Sequence, residues 1–360
     1  MTDFTSELGA LGARLSLEVS ADGTPVNPLV ALPLDPWRDA PPAVVARAAA
    51  LAGGALPVTV GVLSGPVTPG LAPLIEALTL TLGAASSGER AIVPADDPAG
   101  AAERLRAAVS RSPRAAIACG RLVRQTAELD TTGGLAAEAA AYSLLLGGPE
   151  FARWLAARGA PRHVEAPAEP VLLDRDGGRL TVTLNAPERR NAFSAAMREA
   201  LLAAVLLAEA DPSIEAVSLR GAGPAFCSGG DLDEFGTATD LVAAYLVRLA
   251  RAPWRVIDRI APRVTGYAHG ACVGAGTEML AYAGRVVASP DAFFQLPEVR
   301  MGLVPGAGGS VSVPRRVGRH RAAWLMLTGD RLPAPTALAW GLVDAVSGLC
   351  WSSCRWSGRW

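Results

Sequence analysis

Two glycine-rich turns carry the most chemical promise in this sequence. GlyAlaGlyProAlaPheCysSerGlyGlyAspLeu (221–232) follows a strand-like run, and ArgValThrGlyTyrAlaHisGlyAlaCysValGlyAlaGly (263–276) again passes from strand to turn to helix. Backbone without Cβ atoms can approach a ligand closely and aim free N–H groups at it, which makes each turn a possible anion or oxyanion site. Read alone, each is equally compatible with a purely structural role. A phosphate loop of the GxxxxGK[ST] kind is excluded, because all 33 basic residues are arginine and the chain has no lysine. The same absence rules out a Schiff-base lysine. GlyAlaGlyProAla also lacks the third glycine and the helix-opening context of a dinucleotide fingerprint.

Other reactive side chains are sparse. His163, His269 and His320 are the only histidines, and none stands at metal-ligand spacing to another His or Cys. Cys119, Cys227, Cys272, Cys350 and Cys354 are odd in number, scattered and free of a CxxC pair, so neither a disulfide framework nor a zinc site is predicted.

The composition bounds the rest. With 360 residues, 50% hydrophobic and 19% charged, the chain has room for two globular domains with real cores. The 34 acids balance the arginines to a net charge of −1, which gives nucleic acid no overall basic field to bind. The uncharged stretch Ala48 to Ile75 is interrupted by Pro57, Pro66, Pro69 and Pro73, and reads as a buried strand and loop rather than a membrane span. The N-terminus opens on Asp3 and Glu7 without a basic and then apolar leader, so the expected location is cytoplasmic, with no membrane partner.

The turns need elements to position them. In the first half, ProValThrValGlyValLeu (57–63) reads as a strand, 71–82 as a helix, 91–93 as a strand, Pro98 to Ser110 as a helix, 115–119 as a strand and Leu135 to Leu146 as a helix. That order favours α/β packing, without a catalytic motif. The Pro-rich segment 160–170 reads as a linker, with a boundary near 166. Beyond it, 171–173 and 179–184 flank a turn as a hairpin. Phe193, Met197, Leu201 and Val205 then recur every four residues as one apolar helical face, and 215–220 is the strand that feeds the first glycine-rich turn.

Taken together, four ordered motifs resemble the crotonase superfamily, the enoyl-CoA hydratase/isomerase group. They are ProGluArgArgAsnAlaPheSer (187–194), AlaPheCysSerGlyGlyAspLeu (225–232), HisGlyAlaCysValGlyAlaGlyThrGlu (269–278) and GlnLeuProGluValArgMetGlyLeuValProGlyAlaGlyGly (295–309). LeuThrGlyAspArgLeu and AlaTrpGlyLeuValAsp follow within 327–344. The resemblance implies an α/β fold with a crotonase-like ββα spiral over 166–348, C-terminally truncated, preceded by a separate small α/β domain of unknown role at 1–165.

It also implies a thioester site. The acyl-CoA carbonyl would sit between the backbone N–H groups of Gly230 and Ala275, which steady the charge on its oxygen as the acyl chain becomes enolate-like. Relatives usually carry Gly where Ala275 stands; the N–H is backbone, so the methyl group preserves it and narrows the acyl pocket. Glu278 and Glu298 match the family's two catalytic glutamates, with Glu278 holding and activating water for attack at Cβ and Glu298 carrying the proton to Cα. Both being present favours hydration over isomerisation. Arg190, Ala192, Ser228, Asp231, Leu232, Asp233 and Gly274 fall in segments that bind substrate and CoA, largely through backbone. Arg189 and Arg190 are candidates for the CoA phosphates, with a solvated turn as the plainer reading. His269, where many relatives carry Asn, reads as a core or turn-capping residue, Asp231 as a loop cap, and Cys227 and Cys272 as small buried side chains. No metal or redox cofactor is implied, since coenzyme A enters with the substrate; a homo-oligomer, trimer or hexamer, is.

The likeness ends after AlaTrpGlyLeuValAspAlaVal (339–346), where relatives continue with helices that cover the CoA and build subunit contacts. Residues 349–360 fit neither helical period nor strand alternation and hold three of the 8 tryptophans, which motivates the expectation of a frameshift or truncation near 347. Three functional readings follow: hydration of a 2-enoyl-CoA, another reaction through the same enolate (double-bond isomerisation or an oxygen-dependent step), and a non-catalytic acyl-CoA-binding or assembly role.

Overall fold

The computed structural model describes residues 4–84, 89–159 and 167–348. The boundary expected at 166 and the atypical tail at 349–360 lie outside the described residues.

The first half runs α1 (Phe4–Leu15), β1 (Leu29–Pro33), α2 (Pro42–Gly54), β2 (Val58–Val62), α3 (Ala72–Ala77), β3 (Leu80–Gly83), β4 (Val93–Pro94), α4 (Pro98–Arg111), α5 (Pro113–Thr126), α6 (Thr131–Leu146) and α7 (Pro149–Arg158). Its strands form a parallel sheet in the order β1-β2-β3-β4. Parallel strands are covered on both faces, which is why they read as nearly unbroken apolar runs, and Val58, Val60, Leu80 and Leu82 are buried.

Two expectations here are corrected. The helix predicted over 71–82 ends at Ala77, and its last residues become β3. Thr59 and Thr79 bind each other's amides through their hydroxyls, at 3.2 and 2.9 Å, and so tie this segment to β2. The strand predicted at 115–119 lies inside α5: AlaAlaIleAlaCys is too short to separate the two periods, while Pro113 opens a helix and Glu150 accepts the N–H groups of Arg114 and Ala115 at 2.8 and 2.9 Å. The helices expected from Pro98 and at 135–146 are present, capped by Asp97 and Asp130.

The second half runs β5 (Val171–Asp176), β6 (Arg179–Leu184), α8 (Ala195–Ala210), β7 (Ala216–Gly221), α9 (Leu241–Ala250), α10 (Pro253–Arg259), β8 (Val264–Ala268), β9 (Ala271–Val273), α11 (Ala275–Leu280), β10 (Arg285–Ala288), β11 (Phe293–Gln295), α12 (Gly309–Val317), α13 (Arg319–Thr328), β12 (Leu332–Pro333), α14 (Ala334–Trp340) and β13 (Ala345–Val346). One sheet has the order β13-β10-β8-β7-β6-β5, parallel except for the β5–β6 hairpin, and a second has the order β12-β11-β9. Met197, Leu201 and Val205 are buried along one face of α8 as their spacing predicts, whereas Phe193 precedes the helix, which Ser194 caps.

The two halves have separate sheets but share an apolar core, in which Val60, Leu105 and Leu122 cluster with Val182, Leu219 and Met326, while a second core around Leu11, Leu34 and Leu74 lies within the first half. Polar contacts reinforce the shared core. Thr126 Oγ1 donates to Ser310 O at 2.6 Å, and Arg319 Nη1 donates to Leu78 O at 2.7 Å. Among the described residues, no helix is long and apolar enough to cross a membrane.

Candidate active site

Asn191 organises the first glycine-rich turn. It is buried with φ 54°, a conformation that Asn tolerates better than most residues, and its Nδ2 donates to the carbonyls of Ala222, Ala225 and Phe226 at 2.8–3.1 Å. The turn is then fastened to the second one. Cys227 N donates to Ala271 O at 3.1 Å and Val273 N to Cys227 O at 2.9 Å. This pairing brings Gly230, at the end of the first turn, and Ala275, the first residue of α11, to a common cavity of about 660 Å³. Neither N–H has an acceptor among the described residues.

Both glutamates reach the same cavity. Glu278, on α11, accepts the N–H groups of Ala307 and Gly309 on Oε2 at 2.7 and 2.8 Å. The approach at Gly309 is so close that a Cβ there would lie 2.6 Å from Glu278 Cγ. Glu298 opens the single helical turn Glu298–Met301, and its Oε2 is buried without a hydrogen-bond partner. Gly274, at φ 48°, lets the backbone pass beside Glu298: a Cβ there would stand 2.5 Å from Oε1.

Sequence reasoning missed a third carboxylate, Glu138 on α6 in the first half. Its Oε1 accepts Gly308 N at 2.6 Å, and its Oε2 accepts Ser310 N at 2.8 Å and Ser310 Oγ at 2.6 Å. Tyr142 and Leu146, one and two turns further along α6, line the cavity with Phe193, Phe235, Val247, Arg248 and Trp254. The available signal was a lone acid in the apolar run LeuAlaAlaGluAlaAlaAlaTyr (135–142), where an unpaired carboxylate has no reason to be buried unless something binds it.

Burial raises all three acids. It pushes Glu298 up to about 8 and Glu138 up to about 7, the latter against the pull of its hydrogen bonds to Ser310 and Gly308. Glu278 is raised well above the carboxylate range, first by burial and then by Glu298 and Glu138, while the N–H groups of Ala307 and Gly309 oppose the shift.

The other predicted residues divide. Asp231 lines the cavity and caps the following turn, accepting Asp233 N at 3.1 Å. Arg190, Ala192, Ser228, Leu232, Asp233 and Gly274 are not part of the lining. Arg190 is exposed, whereas Arg189 pairs with Asp231 and, at 2.6 Å, with Asp233, so this arginine orders the loop. Ser228 N donates to Arg190 O at 2.9 Å, a contact of the turn itself. His269 is buried with Nε2 3.0 Å from Gly223 O, as a turn-holding residue should be. Cys227 and Cys272 are buried, and burial pushes the Cys227 thiol up to about 12, so it stays protonated and unreactive at neutral pH.

Comparison with known proteins decides the family. The enoyl-CoA hydratase/isomerase profile matches residues 174–349. The Mycobacterium tuberculosis protein named "Probable enoyl-CoA hydratase EchA14" is 36% identical over 180 residues, covering 50% of this chain and 70% of that one. The chain belongs to the enoyl-CoA hydratase/isomerase family. It is also 34% identical to the 1,2-epoxyphenylacetyl-CoA isomerase of Escherichia coli, over 49% of this chain and 70% of that one. A solved enoyl-CoA hydratase from Mycobacterium smegmatis, 36% identical, overlays 50% of this chain and 70% of its own with a TM-score of 0.46. The family acts on acyl-CoA thioesters, and its crotonase fold accounts for the second half, with both glycine-rich turns and both glutamates inside the matched segment.

Proposed function

We propose that this chain adds water across the double bond of a 2-enoyl-CoA. The observation that carries the reading is the convergence of two buried carboxylates, Glu278 and Glu298, with two unspent backbone donors, Gly230 and Ala275, on one cavity. The donors would hold the thioester oxygen and stabilise the enolate-like charge that builds there. The two glutamates differ in what they can stabilise. Glu278 has two amide donors, which oppose but do not cancel the rise that burial and the neighbouring Glu298 and Glu138 impose, so it would take a proton from water once ionised. Glu298, with one oxygen buried and unpartnered, favours the protonated form and suits delivery to Cα. Coenzyme A enters as part of the substrate.

The test is loss of the conjugated-thioester absorbance of crotonyl-CoA. The wild type should consume it, and Glu298→Gln should be slower by about 10²–10⁴-fold while still binding the thioester. Unchanged turnover in that variant would remove Glu298 from the chemistry. The family takes in isomerases as well as hydratases, and a second reading is double-bond migration through the same enolate. Glu278→Gln separates the two: it should abolish hydration, whereas an isomerase shuttling one proton on Glu298 would survive it.

A further inference from the structure

The cavity holds a cation that the hydration of a simple enoyl chain does not use. Arg248, on α9, which packs against α6, lines the cavity with its guanidinium 3.6 Å from the centre of the Tyr142 ring. Its Nη1 donates to Gly306 O at 3.3 Å, and its Nε is buried without a partner. No carboxylate among the described residues stands at ion-pair distance. The carboxylate it most influences electrostatically, Glu138, has both oxygens occupied by Gly308 and Ser310.

Position makes this cation relevant to the acyl chain. The Gly306–Ala307 peptide unit is gripped from both ends: its N–H by Glu278 at 2.7 Å and its carbonyl by Arg248 at 3.3 Å. The two side chains are therefore within about 8 Å of each other, two hydrogen bonds and the width of one amide apart. That separation puts Arg248 within reach of the atoms that follow Cβ in a chain whose Cβ meets a water on Glu278. Phe235, Val247 and Trp254 give the cavity apolar surface, and among its polar lining Arg248 is the cation hydrogen-bonded to the same peptide unit as Glu278. Its stacking on Tyr142 and its bond to Gly306 fix its plane in advance, the condition under which arginine recognises a carboxylate.

We propose that the site takes an acyl-CoA bearing a second carboxylate just beyond Cβ, the monothioester of a short unsaturated dicarboxylic acid, with Arg248 as its anchor. This rests on the reading of Glu278 and Glu298 as the acids that flank the acyl chain.

Saturated thioesters, which bind without being hydrated, test the anchor apart from the chemistry. Isothermal titration should find glutaryl-CoA bound about 10–100-fold more tightly than butyryl-CoA, as one charge-assisted contact allows. In Arg248→Gln that ratio should fall to about one, and Arg248→Lys, which keeps the charge but not the fork, should lie between. Equal or weaker binding of glutaryl-CoA by the wild type overturns the proposal, as does a preference that survives Arg248→Gln. Should the Gln variant bind neither thioester, the wild-type ratio alone decides. Turnover of glutaconyl-CoA and crotonyl-CoA completes the test: preference for glutaryl-CoA without hydration of either unsaturated ester would sink hydration and leave the anchor standing, whereas hydration of crotonyl-CoA without the binding preference would sink the anchor alone.

Discussion

Glu138 and Glu278 hold alternate amides of a single turn. Glu278 takes the N–H groups of Ala307 and Gly309, and Glu138 takes those of Gly308 and Ser310. The candidate water-activating acid and a helix from the other half of the chain are thus locked to the same four residues, and neither can shift without disturbing the other.

Glu138→Ala should therefore cost both stability and rate. It strands the N–H groups of Gly308 and Ser310 and the Ser310 hydroxyl, for a loss of about 2–4 kcal/mol, and it frees the turn that orients Glu278. Glu138→Gln keeps an acceptor and should lose less of each. Thermal denaturation and crotonyl-CoA turnover of both variants check this; wild-type behaviour in the Ala variant would show that the clasp is idle.

The raised acids set a pH dependence with a definite sign. Glu298 near 8 and Glu138 near 7 both stand above the 4.5 of an unfolded chain, so the folded state favours their protonated forms. That stabilising contribution is complete below about 4.5 and is lost as pH rises through 7 and 8. The melting temperature should fall across that window, and less steeply in Glu298→Gln. The kcat/KM for hydration should fall on its alkaline side as Glu298, near 8, loses the proton it would donate, and on its acid side as Glu278, also raised by burial, gains one. A melting temperature that climbs over this range would contradict the assignment.

Gly274→Ala places a methyl group 2.5 Å from Glu298 Oε1, on backbone at φ 48° that side chains avoid. Displacing the acid by even an ångström should cost about 10²-fold in turnover. Comparing that loss with the affinity for a saturated thioester tells displacement from collapse, since a collapsed site loses both.

Asn191→Ala should lower stability by about 3 kcal/mol, because Ala186 N and the carbonyls it serves lose their partner and alanine adopts φ 54° at a cost. Asn191→Gly restores the conformation without the bonds, so urea denaturation of the two variants separates the contributions.

Local patterns in the sequence disclosed the second half well and the first half poorly. The hairpin at β5 and β6, the face of α8 and the two turns each announce themselves within a few residues. The meeting of Gly230 and Ala275 on one cavity was readable because a backbone donor depends on the turn that aims it, and both turns are rich in glycine. Glu138, Tyr142 and Arg248 left no such trace: their roles arise from packing between elements more than 100 residues apart, and a lone acid or arginine on a helix reads first as surface. The misassigned strand in α5 has the same origin, since what settles Ala115 is Glu150 from α7.

The clasp by α6 has an engineering consequence. The family motifs of residues 187–309 look like a portable cassette, yet lifting them into another scaffold would leave behind the acid that steadies their last turn and the aromatic ring that braces Arg248. A redesign of the acyl pocket can begin on α6, outside every recognisable motif, where Leu146 faces the cavity and makes none of the hydrogen bonds that hold the acids.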